Sequence, residues 1–330
     1  MRRGAPLPRG PSDRSVWAFK RVGATESTTS PHFAELRAQG LVLRGVRVHY
    51  VEAGEGPTLV LLHGLFSDHR IWRRVIPTLA QQYRVVAPDL PGFGASEKPT
   101  RYPFTREALA STLYDLLAGV NAPRASIVGE GLGGTVALTL AADHPECVER
   151  LVVSGAPAFV YPRSFRARLP TLPVLGAAVF KQFWGRILFH QHFRNEVFAP
   201  GYAYDRRLVD SFYENFDPPE ARECAYKALK MLDGDPAPLE VKLGKIRCPT
   251  AVVWGDRDRI PLGLGQRLAS RIRGARLEVL SGAGAAPSIE QPEALAAVIA
   301  RHLAPTSGAV LALPSPVGDD AADSPPHGPR

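Results

Sequence analysis

Short apolar segments separated by longer amphipathic stretches run through the middle of the chain. Eight of them have the length and composition of β-strands, and they read LVLR, VRVHYVE, TLVLLH, YRVVAP, ASIVGE, RLVVS, TAVVWG and RLEVL. From TLVLLH onward the segments are continuously apolar, which is typical of parallel strands covered on both faces. The first two segments, which the turn AGEGP follows, predict an antiparallel edge.

The segments between these predicted strands have the spacing of apolar residues that is typical of amphipathic helices. Apolar residues three and four positions apart predict helices over 72–79, 109–120 and 264–272, and a last helix begins at Pro292. Capping residues precede the first two helices, namely Ser67, Asp68 and Thr105. This alternation predicts an α/β fold with a mostly parallel, eight-stranded sheet flanked by helices.

One long stretch, residues 158–243, has no strand pattern and combines prolines, aromatic residues and helical patches. We predict that it is a helical lid inserted above the carboxyl ends of the strands. The predicted core then consists of residues 36–157 and 244–304. Residues 1–35 and 305–330 lack periodicity, so we expect a flexible basic arm and a disordered, proline-rich tail.

Composition and net charge indicate which kinds of molecule the chain is expected to bind. The chain has 330 residues, 45% of them hydrophobic, and a net charge of +8. Much of the excess charge lies in the arm and in a stretch between Phe159 and Asn195 that has no acidic residue and contains Arg163, Arg166, Arg168, Lys181, Arg186 and Arg194. Charge of this kind keeps a surface solvated, and we predict no nucleic-acid partner.

The cysteine spacing and the N-terminal sequence indicate the cellular compartment of the protein. Cys147, Cys224 and Cys248 are widely spaced and form no C-x-x-C pair, which argues against a disulfide framework or a zinc site. No apolar region of a secretory signal follows the basic N-terminus, and the most apolar run, LPTLPVLGAAVF, is too short to span a membrane. We therefore expect a cytoplasmic protein with no metal and no cofactor.

Five motifs stand in the order that one superfamily uses: LLHGLFSDHRIW, DLPGFGASEKP, ASIVGEGLGGTVAL, AVVWGDRDRIP and LSGAGAAPSIEQPEAL. Over residues 43–303 the chain resembles the α/β-hydrolase superfamily, in particular the capped branch with epoxide hydrolases, haloalkane dehalogenases and small carboxylesterases. The resemblance implies an α/β-hydrolase fold with a helical lid, and a catalytic triad of nucleophile, histidine and acid.

The resemblance also implies roles for individual positions. The backbone N–H groups of Leu65 and Leu132 correspond to the oxyanion hole, whose fixed donors stabilise developing negative charge. Asp258 corresponds to the acid that orients the catalytic histidine, while Asp256 is expected to cap its loop. His63 is expected to be a packed structural histidine and not a catalytic base.

Two triad positions carry residues that lack the necessary chemistry. Where the family has G-H-S-x-G-G this chain has GEGLGG, so Gly131 takes the nucleophile position, and Ala285 takes the position of the catalytic histidine. A triad works as a unit, so the double loss is expected to lower turnover by on the order of 10⁶. Without an imidazole partner, Asp258 is predicted to pair with a nearby donor, for example Arg257 or Arg259, or to open to solvent.

These observations favour a catalytically inactive protein of hydrolase lineage that keeps a lidded, apolar pocket for a small molecule or a protein partner. In this hypothesis the aromatic residues of the predicted lid pack against the sheet or line that pocket. These residues are Phe159, Tyr161, Phe165, Phe180, Phe183, Trp184, Phe189 and Phe193.

Two alternatives stay open. One is an active hydrolase of small esters or epoxides in which Glu130 replaces the nucleophile, although a carboxylate nucleophile in this family stands at the centre of the elbow. The other is a peripheral membrane protein whose basic, aromatic stretch, residues 161–193, contacts anionic lipid. A buried lid face explains the same residues. The oligomeric state is not predicted.

Overall fold

A single eight-stranded sheet forms the core of the protein. The computed structural model describes residues 36–160 and 175–304. The strands are β1 (Arg37–Leu43), β2 (Val46–Ala53), β3 (Thr58–Leu62), β4 (Arg84–Pro88), β5 (Ala125–Glu130), β6 (Val148–Ser154), β7 (Thr250–Gly255) and β8 (Arg276–Leu280). Their order is β1-β2-β4-β3-β5-β6-β7-β8. β2 is antiparallel to β1 and β4, and the other neighbours are parallel, which confirms the predicted sheet.

The helices lie before, within and after a long connection between β6 and β7. In the first part of the core they are α1 (Ile76–Leu79), α2 (Arg106–Gly119) and α3 (Leu132–Asp143). The connection contains α4 (Leu175–Ala178), α5 (Arg186–His192), α6 (Arg206–Phe216), α7 (Pro219–Asp233) and α8 (Ala237–Lys242), with π-helical turns at Val179–Phe183 and Phe193–Val197. After β7 come α9 (Leu262–Arg271), α10 (Pro287–Glu290) and α11 (Pro292–Leu303).

The predicted helix over 72–79 is divided into two short turns. A 3₁₀ turn covers His69–Trp72, and α1 begins only at Ile76, with Pro77 in its first turn. Proline fits the first turn of a helix but cannot donate a backbone hydrogen bond in its interior, so the two turns do not join. The apolar residues of the predicted stripe are buried all the same. The prediction was therefore right about the buried face and wrong about a continuous helix.

The other helix predictions are confirmed with small changes at the ends. Thr105 Oγ1 accepts a hydrogen bond from Ala108 N at 3.1 Å and caps α2. α11 begins at Pro292 as expected, whereas α9 ends at Arg271 and leaves Ile272 extended. β5 and β7 are buried at every position, as expected for parallel strands covered on both faces.

The described parts of the connection between β6 and β7 contain helices joined by loops, and the connection packs on the core through aromatic rings. Phe66, in the loop after β3, lies with its ring centroid 5.8 Å from Phe180, 6.2 Å from Phe189 and 5.8 Å from Phe216. Of the aromatic residues expected to pack or line the pocket, the buried ones are Phe159, Phe180, Trp184, Phe189 and Phe193. Phe183 is exposed, and Tyr161 and Phe165 lie outside the described residues.

The predicted arm, residues 1–35, and the predicted tail, residues 305–330, also lie outside the described residues. The domain boundaries and the lid role of the helical connection stay predictions. Within residues 36–160 and 175–304, no helix has both the length and the apolar character needed to cross a membrane.

Candidate active site

The turn between β5 and α3 has the backbone geometry of a nucleophile elbow. Gly131 is the single residue between the strand and the helix, and its backbone angles are φ 53° and ψ −113°. Its N–H donates to Ser154 O on the neighbouring strand at 2.9 Å. A side chain at this φ is strained, and glycine removes the strain. A Cβ built on Gly131 would meet only Gly64 Cα at 3.6 Å, an ordinary van der Waals contact.

The glycine two positions further on has a different role. A Cβ on Gly133 would lie 2.4 Å from Leu62 O on β3, and a Cβ on Gly129 would lie 2.4 Å from Gly133 O. The backbones of β3, β5 and α3 therefore approach one another so closely that only glycine fits.

We expect Gly133→Ala to lower the free energy of unfolding by about 3 kcal/mol, because the added methyl group collides with backbone that cannot rotate away. Gly131→Ala is the matched control: it introduces backbone strain without a collision, and we expect a loss of about 1 kcal/mol. Urea unfolding followed by circular dichroism measures both values. Equal losses in the two variants would contradict the difference in packing described above.

The two positions assigned to the oxyanion hole both line the cavity at this turn. Leu65 and Leu132 line the same cavity as Gly131. Leu132 is the first residue of α3, where a backbone N–H has no acceptor within the helix. The loop before Leu65 is held by His63, which is fully buried. His63 Nδ1 lies 2.7 Å from Gly64 O, and Nε2 accepts from Leu90 N at 2.9 Å, which confirms a structural histidine.

The loop that carries Ala285 is tied to the helical connection. Ala285 N donates to Val197 O at 2.8 Å. The Glu290 carboxylate accepts hydrogen bonds from Gly284 N at 3.1 Å, Ala286 N at 3.2 Å and Ala199 N at 2.8 Å. Sequence reasoning did not single out Glu290, whose partners lie on two separate segments. These hydrogen bonds hold the loop that carries Ala285 in place.

Asp258 lies next to this loop, but its side chain is not paired as predicted. Asp258 Oδ1 accepts from Ile260 N at 2.8 Å, whereas the buried Oδ2 has no hydrogen-bond partner among the described residues. A Cβ built on Gly155 would lie 3.4 Å from both Asp258 Oδ2 and Ala285 O, so the acid and the alanine share one neighbour.

The nearby donor that Asp258 finds is Ile260 N, which bonds only to Oδ1. The expected pairing with Arg257 or Arg259 was wrong, and the unpaired Oδ2 is buried and does not open to solvent. The Arg257 side chain is 68% exposed and lies 3.9 Å from Asp256, and Arg259 is also exposed. Burial raises the pKa of Asp258 to about 7, so the group can lower the cost of burial by taking up a proton. Asp256 has the loop-capping role expected of it, since it accepts from Gly282 N at 2.7 Å and from Ser281 Oγ at 3.1 Å.

A cavity of about 1000 Å³ lies above Gly131. Its walls include the elbow, Ala285 and residues of the helical connection such as Phe193 and Leu229. His192 lines it as well, a residue that sequence reasoning did not single out. The His192 ring packs edge-on against Phe66 with centroids 5.2 Å apart, and no hydrogen bond joins it to Asp258 Oδ2 within the part of the chain that the structure describes.

A comparison with known families shows which family the chain belongs to. The family model of the alpha/beta hydrolase fold matches residues 57–292 of the chain. The chain belongs to this family. The match extends from β3 to the start of α11 and includes the elbow, Asp258 and Ala285, so the resemblance seen in the motifs is confirmed.

Two similar proteins carry hydrolase names, and a solved structure has a similar fold. An uncharacterized hydrolase, YugF, of Bacillus subtilis is 29% identical, with 79% of this chain and 94% of the relative covered. A 2-hydroxymuconate semialdehyde hydrolase of Pseudomonas sp. is 28% identical, with 82% and 95% covered. Among solved structures, Cfl2 from Burkholderia cenocepacia has a TM-score of 0.72 and 27% identity, with 84% and 99% covered.

Glu130, which precedes the elbow glycine, is directed toward α10. Its Oε1 lies 3.0 Å from Ser288 Oγ, and Oε2 accepts from Ser288 N at 3.2 Å. The residue is 4% exposed, and burial raises its pKa to about 8. At neutral pH most of the carboxyl is therefore protonated and bonded to Ser288. Sequence reasoning did not identify Ser288, because the partner lies 158 positions away.

One group of metal-ligand type occurs among the described residues. His49, His69 and Asp89 bring ligand atoms within 4.8 Å of one another. Each histidine Nδ1 lies 2.9 Å from an Asp89 oxygen, and Asp89 also accepts from His69 N and Ala95 N at 2.8 Å. These bonds fasten the loop after β4 to β2 and to the turn after β3, and we assign the group this structural role.

Proposed function

We propose that this chain is a non-catalytic member of the α/β-hydrolase family that binds a small, largely apolar molecule in the cavity above Gly131. The helical connection covers the cavity as a lid. One observation carries the proposal: the cavity is large enough for a ligand, while the two positions beneath it that would attack and transfer a proton are Gly131 and Ala285.

The chemistry of hydrolysis supports this reading. A nucleophile needs an attacking atom and a base to remove its proton. Glycine and alanine offer neither. Ester hydrolysis is then limited to what backbone donors and binding contribute, which leaves turnover on the order of 10⁶ below that of an intact triad.

The cavity supports a ligand with an apolar body and a hydrogen-bond acceptor. Its apolar wall residues include Leu132, Phe159, Phe193 and Ile260, and the N–H of Leu132 starts α3 at its floor. A carbonyl oxygen placed there would face a backbone donor at the positive end of the helix dipole. A short-chain ketone therefore represents the class of ligand that this geometry favours.

The alternative of an active hydrolase that uses Glu130 is disfavoured by the state of its side chain. A carboxyl with a pKa of about 8 is mainly protonated at neutral pH, and a protonated acid is a poor nucleophile. Both of its oxygens are also engaged by Ser288.

We expect 2-nonanone to bind the purified full-length chain in isothermal titration calorimetry. Ala285→Trp should weaken this binding at least about 10-fold, because the indole fills the cavity next to Gly131. Ala297→Trp is the matched control: Ala297 is an exposed position of α11 outside the cavity wall, and its binding curve should match that of the unsubstituted chain.

Two results would contradict the proposal. One is equal binding by the Ala285→Trp and Ala297→Trp variants. The other is steady hydrolysis of 4-nitrophenyl butyrate by the unsubstituted chain that disappears in Glu130→Gln, which would support the enzyme alternative.

A further inference from the structure

A second pocket, of about 600 Å³, lies between the start of α2 and the C-terminal half of α7. We call it the α2–α7 pocket. It shares no wall residue with the cavity above Gly131. One wall is formed by residues 101–107, and the other by residues of α7. Among the described wall residues one is acidic and four are basic, namely Arg101, Arg106, Lys227 and Lys230.

Arg106 combines burial with a positive charge that no carboxylate neutralises. The residue is 9% exposed, and its Nε is buried without a hydrogen-bond partner among the residues that the structure describes. Its terminal nitrogens donate to two backbone oxygens, Asp235 O and Met231 O, each at 3.1 Å. Both acceptors are neutral, and burial lowers the pKa of the guanidinium below its ordinary value. An anion in the pocket would offset this buried charge.

Two other charged wall residues already have partners. The carboxylate of Glu107, the acidic wall residue, lies 3.5 Å from Lys242 Nζ. Lys227 Nζ lies 3.6 Å from a carboxylate oxygen of Glu223. Lys242 and Glu223 are each shared with a second ion-pair partner. Glu107 therefore keeps part of its negative charge and Lys227 part of its positive charge, and the two offset each other at the pocket.

The remaining basic wall residues leave the pocket positive. Arg101 and Lys230 are exposed, and neither forms an ion pair within residues 36–160 and 175–304. Lys230 Nζ lies 5.9 Å from the centroid of the Tyr226 ring, a contact that does not neutralise its charge. Together with Arg106, these two residues give the α2–α7 pocket a positive charge that is carried entirely by described side chains.

The start of α2 adds backbone donors to this pocket. Arg106 and Glu107 are the first two residues of the helix, and Thr105 Oγ1 caps it by accepting from Ala108 N at 3.1 Å. The other N–H groups of a first helical turn have no acceptor within the helix, and the helix dipole places partial positive charge there. Such a helix start favours phosphate and carboxylate groups, and here the buried guanidinium belongs to its first residue.

The size and the apolar part of the wall favour an organic phosphate over a bare ion. The pocket is larger than one phosphate group requires, and Tyr102, Phe104 and Met231 also line it. The rings of Tyr102 and Phe104 pack edge-on with centroids 5.1 Å apart. A phosphate monoester carries a charge of about −1.5 to −2 at neutral pH and accepts hydrogen bonds through three oxygens. These properties match unpaired cations beside backbone donors.

We propose that the α2–α7 pocket binds a small phosphate monoester. Arg106 and the start of α2 hold the phosphate group, while Arg101 and Lys230 add positive charge at the exposed edge. The organic part of the ligand contacts Tyr102 and Met231. Because the pocket shares no wall residue with the larger cavity, the proposal does not depend on what that cavity binds.

Isothermal titration calorimetry of the full-length chain with phenyl phosphate tests this site at low ionic strength, where screening is weakest. We expect phenyl phosphate to bind at least about fivefold more tightly than inorganic phosphate, because its ring contacts the apolar wall. The double variant Arg101→Ala with Lys230→Ala should bind phenyl phosphate at least about 10-fold more weakly, since it removes two cations. Both positions are exposed, so the variant should fold, which circular dichroism checks.

The matched control is the double variant Lys245→Ala with Arg247→Ala. It also removes one exposed lysine and one exposed arginine, but neither lines the pocket, and its binding should stay within about twofold of the unsubstituted chain. Arg106→Lys keeps the buried charge and loses the planar fork, so it should weaken binding at least about fivefold. If Arg106→Lys does not fold, the exposed double variant decides alone.

Three results would overturn the proposal. The first is an unsubstituted chain that does not bind phenyl phosphate. The second is equal binding by the Arg101→Ala with Lys230→Ala variant and its control. The third is equally tight binding of inorganic phosphate and phenyl phosphate, which would make the free ion the ligand.

Discussion

The double variant Gly131→Ser with Ala285→His, which introduces a nucleophile and a base, is expected to raise hydrolysis of 4-nitrophenyl butyrate at least about 100-fold above that of the unsubstituted chain. The new serine side chain has room, because a Cβ on Gly131 meets only Gly64 Cα at 3.6 Å. Asp258 Oδ2 lies beside the Ala285 loop without a partner, in position to accept a hydrogen bond from an introduced imidazole. Leu65 and Leu132 remain at the cavity wall to stabilise the oxyanion.

Three comparisons isolate this effect. Each single substitution should give little activity, since nucleophile and base act as a unit. Adding Asp258→Asn to the double variant should remove most of the gain, because the acid holds the imidazole in its reactive tautomer. Gly131→Ser should also destabilise the fold by about 1 kcal/mol through strain at the elbow, and thermal unfolding verifies that each variant is folded at the assay temperature. A folded double variant no faster than the single ones would contradict the retained geometry.

The unfolding free energy of the protein is expected to fall as the pH rises, and Glu130 is the main cause. Burial raises its pKa in the folded state to about 8, above the ordinary value of 4.5. The folded state therefore holds this proton more tightly than the unfolded state does. The resulting stability is fully present below about pH 4.5 and is lost as the pH rises through 8. We expect a loss on the order of 4 kcal/mol over this window.

Glu130→Gln should remove this part of the pH dependence. The amide is close in shape to the protonated carboxyl and has no proton to lose, so the variant should match the unsubstituted chain near pH 5 and exceed its stability near pH 9. A smaller slope from Asp258, whose pKa is raised to about 7, should remain at lower pH with the same sign. The exposed Glu149→Gln serves as control, and urea unfolding at several pH values gives the curves. Parallel curves for Glu130→Gln and the unsubstituted chain would contradict the buried, protonated state.

The partners of Asp258 could not be predicted from the residues next to it in the sequence. Arg257 and Arg259 flank the acid in sequence, but both residues are exposed, whereas Asp258 Oδ2 is buried. The sequence also does not predict that a buried carboxyl can avoid the cost of a buried charge by staying protonated. That response depends on how much of its surroundings is apolar, which the tertiary structure alone decides.

The hydrogen-bond partner of Glu130 and the exposure of Phe183 also could not be predicted from the sequence. The motif places Glu130 beside the elbow, yet its partner Ser288 comes from α10 at the other end of the chain. Phe183 has the spacing of its buried neighbours Phe180 and Trp184 and was expected to pack or line the pocket with them. A π-helical turn rotates the segment, so Phe183 lies outside while Trp184 lies inside.

By itself, the sequence determined the eight strands, the antiparallel edge and the family. It also assigned Gly131, Ala285 and Asp258 to the positions of a triad. These features are local: apolar periodicity decides which segments become strands, and the elbow needs only a strand, a glycine turn and a helix in succession. Only the tertiary structure decided the cavity, the raised pKa of Glu130, the unpaired Asp258 oxygen and the exposure of Phe183. Each of these depends on which distant segments approach one another and on how much water they exclude, and no periodicity along the chain encodes that.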